Sequence, residues 1–302
     1  MIVVFGSINI DLVFRLPSLP AAGETVLGDS YAVVPGGKGA NQAVAAARDG
    51  ARVAMVGAVG DDGFTRPALA ELAAAGVDLS RVARVAAPTG CAAIAVDDAG
   101  ANLIFVASGA NLLARAAMVP DEWLDRGTTL VVQREVPMAE LAALLPKARA
   151  RGCRVVLNTA PAGEVPAEAL AAVDVLVANQ GEAAMLAAER GIAAGDTAAL
   201  ANSLGCAVVV TLGGEGLVAA TGVETLRGGA LAITPVDTTA AGDCFVGVLA
   251  AALDRGATLP TALHRASVAA GLACTKPGAQ PSLPMRTETD ARLDDLRPPA
   301  NA

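Results

Sequence analysis

TLVVQREVPMAELAALLPKARARGCRVVLN, residues 129–158, sets two short β-branched runs, Thr129 to Gln133 and Arg154 to Asn158, on either side of an alanine- and leucine-rich segment, Met138 to Ala150. A strand that returns after one helical crossover lies parallel to the strand before it, so this stretch reads as one βαβ unit. The same alternation continues in both directions. Val53 to Val59 precedes Pro67 to Ala75; further on come the segments Pro166 to Ala172, Val173 to Ala178, Gly181 to Arg190, Thr197 to Gly205 and Ala207 to Leu212. With the opening run Ile2 to Phe5, these predict an α/β fold, a mostly parallel sheet flanked by helices on both faces, with ligands at the carboxyl ends of the strands. Two regions break the pattern. Residues 11–36 and 89–108 read as extended pieces joined by turn residues, and predict a small separate β-sheet that forms a lid over the cleft and a possible dimer contact. Residues 1–302 are read as one domain carrying that lid.

Composition narrows the function. The 302 residues are 54% hydrophobic, with 32 Gly and 17 Pro, which describes a globular chain rather than a disordered or fibrous one. A formal charge of −8 without any Lys/Arg cluster argues against nucleic acid or an anionic membrane as partner. No apolar run reaches membrane-spanning length and no charged leader precedes Ile2, so a cytoplasmic location is expected. Cys91, Cys153, Cys206, Cys244 and Cys274 lack CxxC spacing and read as buried free thiols rather than a disulfide or zinc framework. The single His264 falls in a predicted helix, Thr261 to Ala273, and reads as structural. With aromatics at 2%, the core must be filled by Ala, Val and Leu. The tail from Pro298 to Ala302 is expected to fray.

The strongest chemical signal is Asp237-Thr238-Thr239-Ala240-Ala241-Gly242-Asp243, just before the small, apolar helical segment Cys244 to Leu253. Ala240 to Asp243 are expected to form a turn with unpaired N–H groups, which attracts anions. An acid in such a turn repels phosphate unless it takes a proton from a hydroxyl while the N–H groups hold the phosphoryl group that the hydroxyl attacks. That is the arrangement of a small-molecule kinase. Asn9 and Asp11, after the first strand, share one face of an extended chain and offer acceptors and an amide for vicinal hydroxyls, or form a plain turn. Pro35-Gly36-Gly37-Lys38-Gly39-Ala40-Asn41-Gln42 precedes a predicted helix, Ala43 to Arg48, and lets backbone approach a ligand and aim N–H groups at it. It is neither a Walker A loop nor GxGxxG, which also weakens a nicotinamide-dependent dehydrogenase reading.

Three further motifs follow strands. Glu135 in Gln133-Arg134-Glu135 is a site acid or a solvated one. Asn179-Gln180-Gly181-Glu182 either orients water around Mg²⁺ and phosphates or caps the next helix. Thr211-Leu212-Gly213-Gly214-Glu215-Gly216 is a hairpin connector or a phosphate-facing turn. The loop Thr275 to Ser282 is a rigid connector or a ring of oxygen ligands.

Taken in order, these segments resemble the ribokinase, or PfkB-type, family of carbohydrate kinases over nearly the whole chain, most specifically in Gly36 to Ala43 and Asp237 to Asp243. The resemblance implies ATP-dependent phosphorylation of a sugar hydroxyl, with the 5-hydroxyl of D-ribose the first expectation. It implies that Asn9, Asp11, Gly37, Lys38, Asn41 and Glu135 hold the sugar, that Asp243 is the base, and that Ala240, Ala241 and Gly242 form the anion hole. Asn179, Thr211, Gly213, Gly214, Gly216, Gly242 and Ser267 match nucleotide positions, and Glu182 matches the acid that organises Mg²⁺. Asp237, Thr239, Ala273, Lys276, Gly278 and Ser282 match the site of an activating monovalent cation, usually K⁺. A homodimer through the lid is implied as well. Two positions depart: Ser267 replaces a common Asn, which puts nucleotide contacts there in question, and Thr159 in Asn158-Thr159-Ala160-Pro161-Ala162 replaces Pro, which is expected to alter rigidity rather than chemistry. Other kinases of the family, acting on deoxyribose, fructose, ketodeoxygluconate or nucleosides, remain alternatives, though few aromatics are available to hold a base. A catalytically silent sugar-binding regulator is a further alternative, against which the intact Gly242 and Asp243 weigh.

Overall fold

The structure, a computed structural model, describes residues 1–301. Its strands are β1 (Ile2–Phe5), β2 (Asn9–Leu16), β3 (Ser30–Gly36), β4 (Val53–Gly60), β5 (Asp78–Val85), β6 (Gly90–Asp97), β7 (Asn102–Ala107) and β8 (Thr129–Val132), then β9 (Arg154–Asn158), β10 (Val175–Asn179), β11 (Ala207–Thr211), β12 (Leu217–Ala220), β13 (Thr225–Gly228) and β14 (Ala300–Asn301). The helices are α1 (Lys38–Arg48), α2 (Thr65–Ala74), α3 (Met138–Ala150), α4 (Ala167–Leu170), α5 (Gln180–Ala188), α6 (Thr197–Leu204), α7 (Ala241–Asp254), α8 (Leu259–Ala273) and α9 (Arg286–Asp290).

A 10-stranded sheet runs in the order β14-β13-β12-β11-β10-β9-β8-β1-β4-β5. From β5 to β11 it is parallel, and β12, β13 and β14 continue it antiparallel. The pleat divides the core. Ile2 and Val4 of β1 point into a cluster with α1, α2, α7 and α8, while Val3 and Phe5 point into another with α3, α4, α5 and α6. Both faces of the central strands are therefore buried, which is why those strands read as continuous apolar runs.

Residues that broke the βαβ pattern form a separate 4-stranded sheet, β3-β2-β6-β7. Its central pair, β2 and β6, is parallel, with Asn9 opposite Gly90, and β3 and β7 flank it antiparallel. Tyr31, Ile104, Phe105 and Val106 are exposed on this sheet.

Several expectations change. α1 begins at Lys38 rather than Ala43, because glycine and alanine there pack against β1 and the turn after it. α7 begins at Ala241, so Asp243 lies in its first turn. β5, β12 and β13 carry no clear alternation and were not predicted. The C-terminal tail does not fray throughout: Ala300 and Asn301 pair with Arg227 and Leu226, satisfying an edge that β13 would otherwise expose, while residue 302 lies outside the described residues. All five cysteines are free, but Cys91 and Cys274 are only partly buried. The His264 ring nitrogen Nε2 lies 2.7 Å from the Leu296 carbonyl, a structural bond. Among the described residues no helix is long and apolar enough to cross a membrane.

α1 and α7 cross at small side chains. A Cβ on Gly247 would sit 2.4 Å from the Gln42 carbonyl oxygen and 2.7 Å from the Ala45 Cβ. The crossing is braced at its other end by Asp49, which is 1% exposed and accepts from Arg255 of the α7 C-cap and Arg265 of α8. Gly247→Val is expected to force the helices apart and destabilise the protein by about 1–3 kcal/mol. Denaturant titration checks this, and a variant as stable as the parent would show that the crossing tolerates wider spacing.

Candidate active site

Strand order reverses at β1, which has β4 on one side and β8 on the other, so the crevice at their carboxyl ends is the expected ligand position. Ser7, just beyond β1, donates from Oγ to Glu135 Oε2, beyond β8, at 2.5 Å. Both then serve the start of α1. Lys38 N–H donates to Glu135 Oε2 at 3.1 Å, Gly39 N–H to Ser7 Oγ at 3.2 Å, Ala40 N–H to the Ser7 carbonyl at 2.9 Å and Asn41 N–H to the Gly37 carbonyl at 2.9 Å. The helix start is thus saturated by protein groups. This narrows the expectation that the glycine run aims its N–H groups at a ligand, since those of Lys38 to Asn41 are taken by protein: the small residues bring α1 against the Gly6–Ser7 backbone, and Gly37, at φ 89°, turns the chain into the helix.

α7 begins differently. Ala241 N–H donates to the Thr238 carbonyl at 3.2 Å and Cys244 N–H to the Ala240 carbonyl at 2.8 Å, while the N–H groups of Ala240, Gly242 and Asp243 have no protein acceptor among the described residues. Ala241 therefore drops out of the expected donor set, and Ala240, Gly242 and Asp243 remain. Ala240 has φ 58°, the one non-glycine residue with positive φ among those described. That conformation costs about 1–2 kcal/mol and is retained where it exposes the helix's positive end.

Asp243 is buried and accepts two amide hydrogen bonds, from Asn41 Nδ2 to Oδ2 and from Gln42 Nε2 to Oδ1, each 2.9 Å. Around it gather Lys38, Asp11 and Glu135. Asp243 first, then Glu135, Glu182 and Asp11, raise the Lys38 ammonium above its ordinary range against the opposing effect of burial, so Lys38 stays charged. Asp11 is pushed up to about 7, first by burial, then by Glu135 and Asp243, with Lys38 opposing. Asn9 is fixed by Asn111, whose Nδ2 donates to Asn9 Oδ1 at 2.7 Å and whose Oδ1 accepts from Ile8 N–H at 2.9 Å. Those two side chains fit because residue 90 is glycine: a Cβ there would lie 2.2 Å from Asn9 Oδ1.

Two cavities meet at Gly242 and Thr211. The smaller, about 170 Å³, is lined by Lys38, Asn158, Asn179, Glu182, Ala240 and Asp243. The larger, about 540 Å³, is lined by Gly213, Gly214, Gly216, Thr238 and Ser267 together with apolar Leu231, Ile233, Pro235 and Phe245. Asn179 and Glu182 form a reciprocal capping box on α5, so the helix cap and the cavity wall are the same residues. Thr211 to Gly216 do connect an antiparallel pair, β11 and β12, and line a cavity as well. Thr159 bears on this wall rather than on rigidity alone. Its N–H, which proline lacks, donates to the Val177 carbonyl at 3.0 Å, and its hydroxyl lies 3.5 Å from Glu182 Oε2.

The expected cation residues are only partly brought together. Asp237 Oδ1 accepts from Thr239 N–H and Oγ1 at 2.9 and 2.6 Å, and its Oδ2 accepts from Gly278 N–H at 2.9 Å, so it ties the two loops to each other. Lys276 turns away to pair with Glu288 at 2.7 Å, Ser282 donates to the Ala279 carbonyl at 2.8 Å, and Ala273 is buried at the end of α8. Among the described residues no three His, Cys, Asp or Glu side chains converge as a metal cage. A magnesium ion held chiefly by nucleotide phosphates needs none, which suits a site where Glu182 offers one buried carboxylate beside Asn179.

Ser7, Gln42, Asn111, Gln133, Asn158 and Gln280 also belong to the site, and sequence reasoning assigned them no role. Each is buried, and all but Asn111 lie in or beside a quoted motif. A polar residue next to a glycine-rich or strand-end motif was the available signal.

A family model described as pfkB family carbohydrate kinase matches residues 1–286. The chain is 36% identical over 299 residues to a ribokinase of Haemophilus influenzae, covering 95% of this chain and 96% of that protein. Its fold superimposes on the crystal structure of a Thermotoga maritima ribokinase with a TM-score of 0.89 at 32% identity, over 97% and 99% of the two chains. An Arabidopsis thaliana ribokinase complexed with ribose and ATP matches with a TM-score of 0.87 at 30% identity, over 97% and 98%.

Because the folded Asp11 carboxyl titrates above its ordinary value of 3.8, its contribution to stability is full below about 3.8 and is lost as pH rises through about 7. Asp11→Asn is expected to remove this component from the ligand-free protein's stability, flattening the fall between about pH 4 and about pH 7. Denaturant midpoints across that range check it; parallel curves for parent and variant would contradict it.

Proposed function

The chain belongs to the pfkB family of carbohydrate kinases, and from that premise we propose that it transfers the γ-phosphoryl group of ATP to the 5-hydroxyl of D-ribose. The observation that carries the mechanism is the first turn of α7, where a buried carboxylate and unpaired backbone donors lie side by side. Asp243 takes the hydroxyl proton as the 5-oxygen attacks γ-phosphorus, and ADP leaves. The N–H groups of Ala240, Gly242 and Asp243 receive charge on the transferring oxygens, and their direction is set before the substrate arrives. Lys38, kept charged by the surrounding acids, faces the same small cavity and counters that charge.

Asn9, Asp11, Gly37, Asn41 and Glu135 bind the sugar in this reading, and ionised Asp11 accepts from vicinal hydroxyls. ATP lies along the two connected cavities, its base among the apolar residues of the larger one and its phosphates toward Gly242. Thr211, Gly213, Gly214, Gly216 and Ser267 contact it there. Bound Mg²⁺ would neutralise charge on the phosphates, with Asn179 and Glu182 ordering its water. A bound K⁺ beside the loops tied by Asp237, Thr239 and Gly278 would strengthen the positive field of the anion hole; carbonyls of Ala273, Lys276 and the Ser282 segment would complete the set. The smaller sheet acts as a lid, and the exposed Tyr31, Ile104, Phe105 and Val106 are the surface a second copy would cover.

A coupled ADP-release assay across ribose, deoxyribose, fructose, ketodeoxygluconate and nucleosides, with and without K⁺, tests the reading. Ribose is expected to give the highest kcat/KM and K⁺ to raise it. Asp243→Asn is expected to lower kcat by about 10²–10⁴ while calorimetry still detects ribose binding. A preference for another sugar would overturn the substrate, and full turnover by the variant would overturn the base.

A further inference from the structure

Among the described residues, two of the three buried side-chain polar atoms left without a partner are Gln133 Oε1 and Gln280 Oε1, and both glutamines are fully buried. Each stands at the outer end of a hydrogen-bonded chain of amides that finishes on Asp243. In one, Gln133 Nε2 donates to Gln42 Oε1 at 2.6 Å, and Gln42 Nε2 donates to Asp243 Oδ1 at 2.9 Å and to Asn158 Oδ1 at 3.1 Å. In the other, Gln280 Nε2 donates to Asn41 Oδ1 at 3.1 Å, and Asn41 Nδ2 donates to Asp243 Oδ2 at 2.9 Å.

The direction of both chains follows from one fact: an ionised carboxylate only accepts. Gln42 and Asn41 must therefore turn their NH₂ groups to Asp243 and their carbonyl oxygens away. Each outer glutamine must then present its own NH₂ group and is left with an oxygen that nothing pays back. The Gln133 oxygen fits only because residue 6 is glycine, since a Cβ there would lie 2.0 Å from it. A buried orphan acceptor carries a desolvation penalty, so this polarity is imposed by the carboxylate end rather than chosen by the glutamines.

We infer that Gln42, held in orientation by Gln133, is a positioning residue that fixes the Asp243 carboxylate for proton removal, and that Gln280 does the same through Asn41. The inference rests on Asp243 being the base. Gln42 is fully buried and holds Oδ1 while Asn41 holds Oδ2, so both oxygens are fixed from α1. The charged groups facing the site are Lys38 at the start of α1, Asp11 of β2, Glu135 beyond β8 and Glu182 of α5; Asp11 and Lys38 are both coupled to Asp243.

Gln42→Met keeps the length of the side chain and removes its donor. It is expected to lower kcat by about 10–100-fold while leaving the calorimetric ribose Kd within about threefold. Gln133→Met, further from the carboxylate, is expected to lower kcat by less at the same Kd, and it serves as the reporter if Gln42→Met does not fold. A thermal midpoint on each variant identifies simple destabilisation, which lowers the midpoint. An unchanged kcat, or a kcat loss matched by a loss of ribose binding, in a folded Gln42→Met or Gln133→Met overturns the inference while Asp243→Asn is inactive. Full turnover by Asp243→Asn instead removes the general base itself.

Discussion

The close crossing of α1 and α7 governs the site, because amide side chains as short as those of Asn41 and Gln42 can reach Asp243 only if the two helix axes approach at small residues. Gly247 and Ala45 supply that approach, and the Asp49 carboxylate, bound by Arg255 and Arg265, braces the far end of the same helices. A bulkier interface would leave Asp243 without its donors, and a buried carboxylate without donors is costly. The alanine-rich, aromatic-poor composition thus bears directly on the chemistry. Small side chains in α1 and α7 are what make the polar cluster possible.

The two helix starts at the strand ends divide the work between them. α1 gives its first N–H groups to Ser7, Glu135 and Gly37, which makes it a rigid platform for Lys38, Asn41 and Gln42. α7 keeps three donors free, with Ala240 strained at φ 58° to present them. An anion is attracted to the second start and gains little at the first, although both carry the same macrodipole. Lys38, made more basic by four acids, extends the positive region across the gap between them.

Much of this was readable in the chain. Continuous β-branched runs and helical alanine segments gave the parallel sheet because strands buried on both faces must be apolar throughout. Loss of that alternation marked the second sheet. The Asp237 to Asp243 run was legible as a turn with unpaired N–H groups and an acid because its residue types have few other joint uses. What sequence hid depends on partners distant along the chain. The glycine run was read as aiming N–H groups outward, but Ser7 and Glu135, which occupy those groups, come from other elements. Gln133 looked like the end of a strand and Gln280 like a loop residue until the structure showed them buried and bound to Gln42 and Asn41. The Ala240 strain was invisible because alanine does not advertise a positive φ, and β14 because two exposed residues have no periodicity.

The central claim is that phosphoryl transfer occurs at the first turn of α7, between its free N–H groups and Asp243. A crystal structure of the protein with ADP, aluminium fluoride and D-ribose tests it most directly. The account predicts the fluoride mimic at about 3 Å from the Gly242 and Asp243 backbone nitrogens, with a ribose hydroxyl in line and hydrogen-bonded to Asp243. A mimic bound instead at the start of α1, or a ribose hydroxyl out of reach of Asp243, would contradict it.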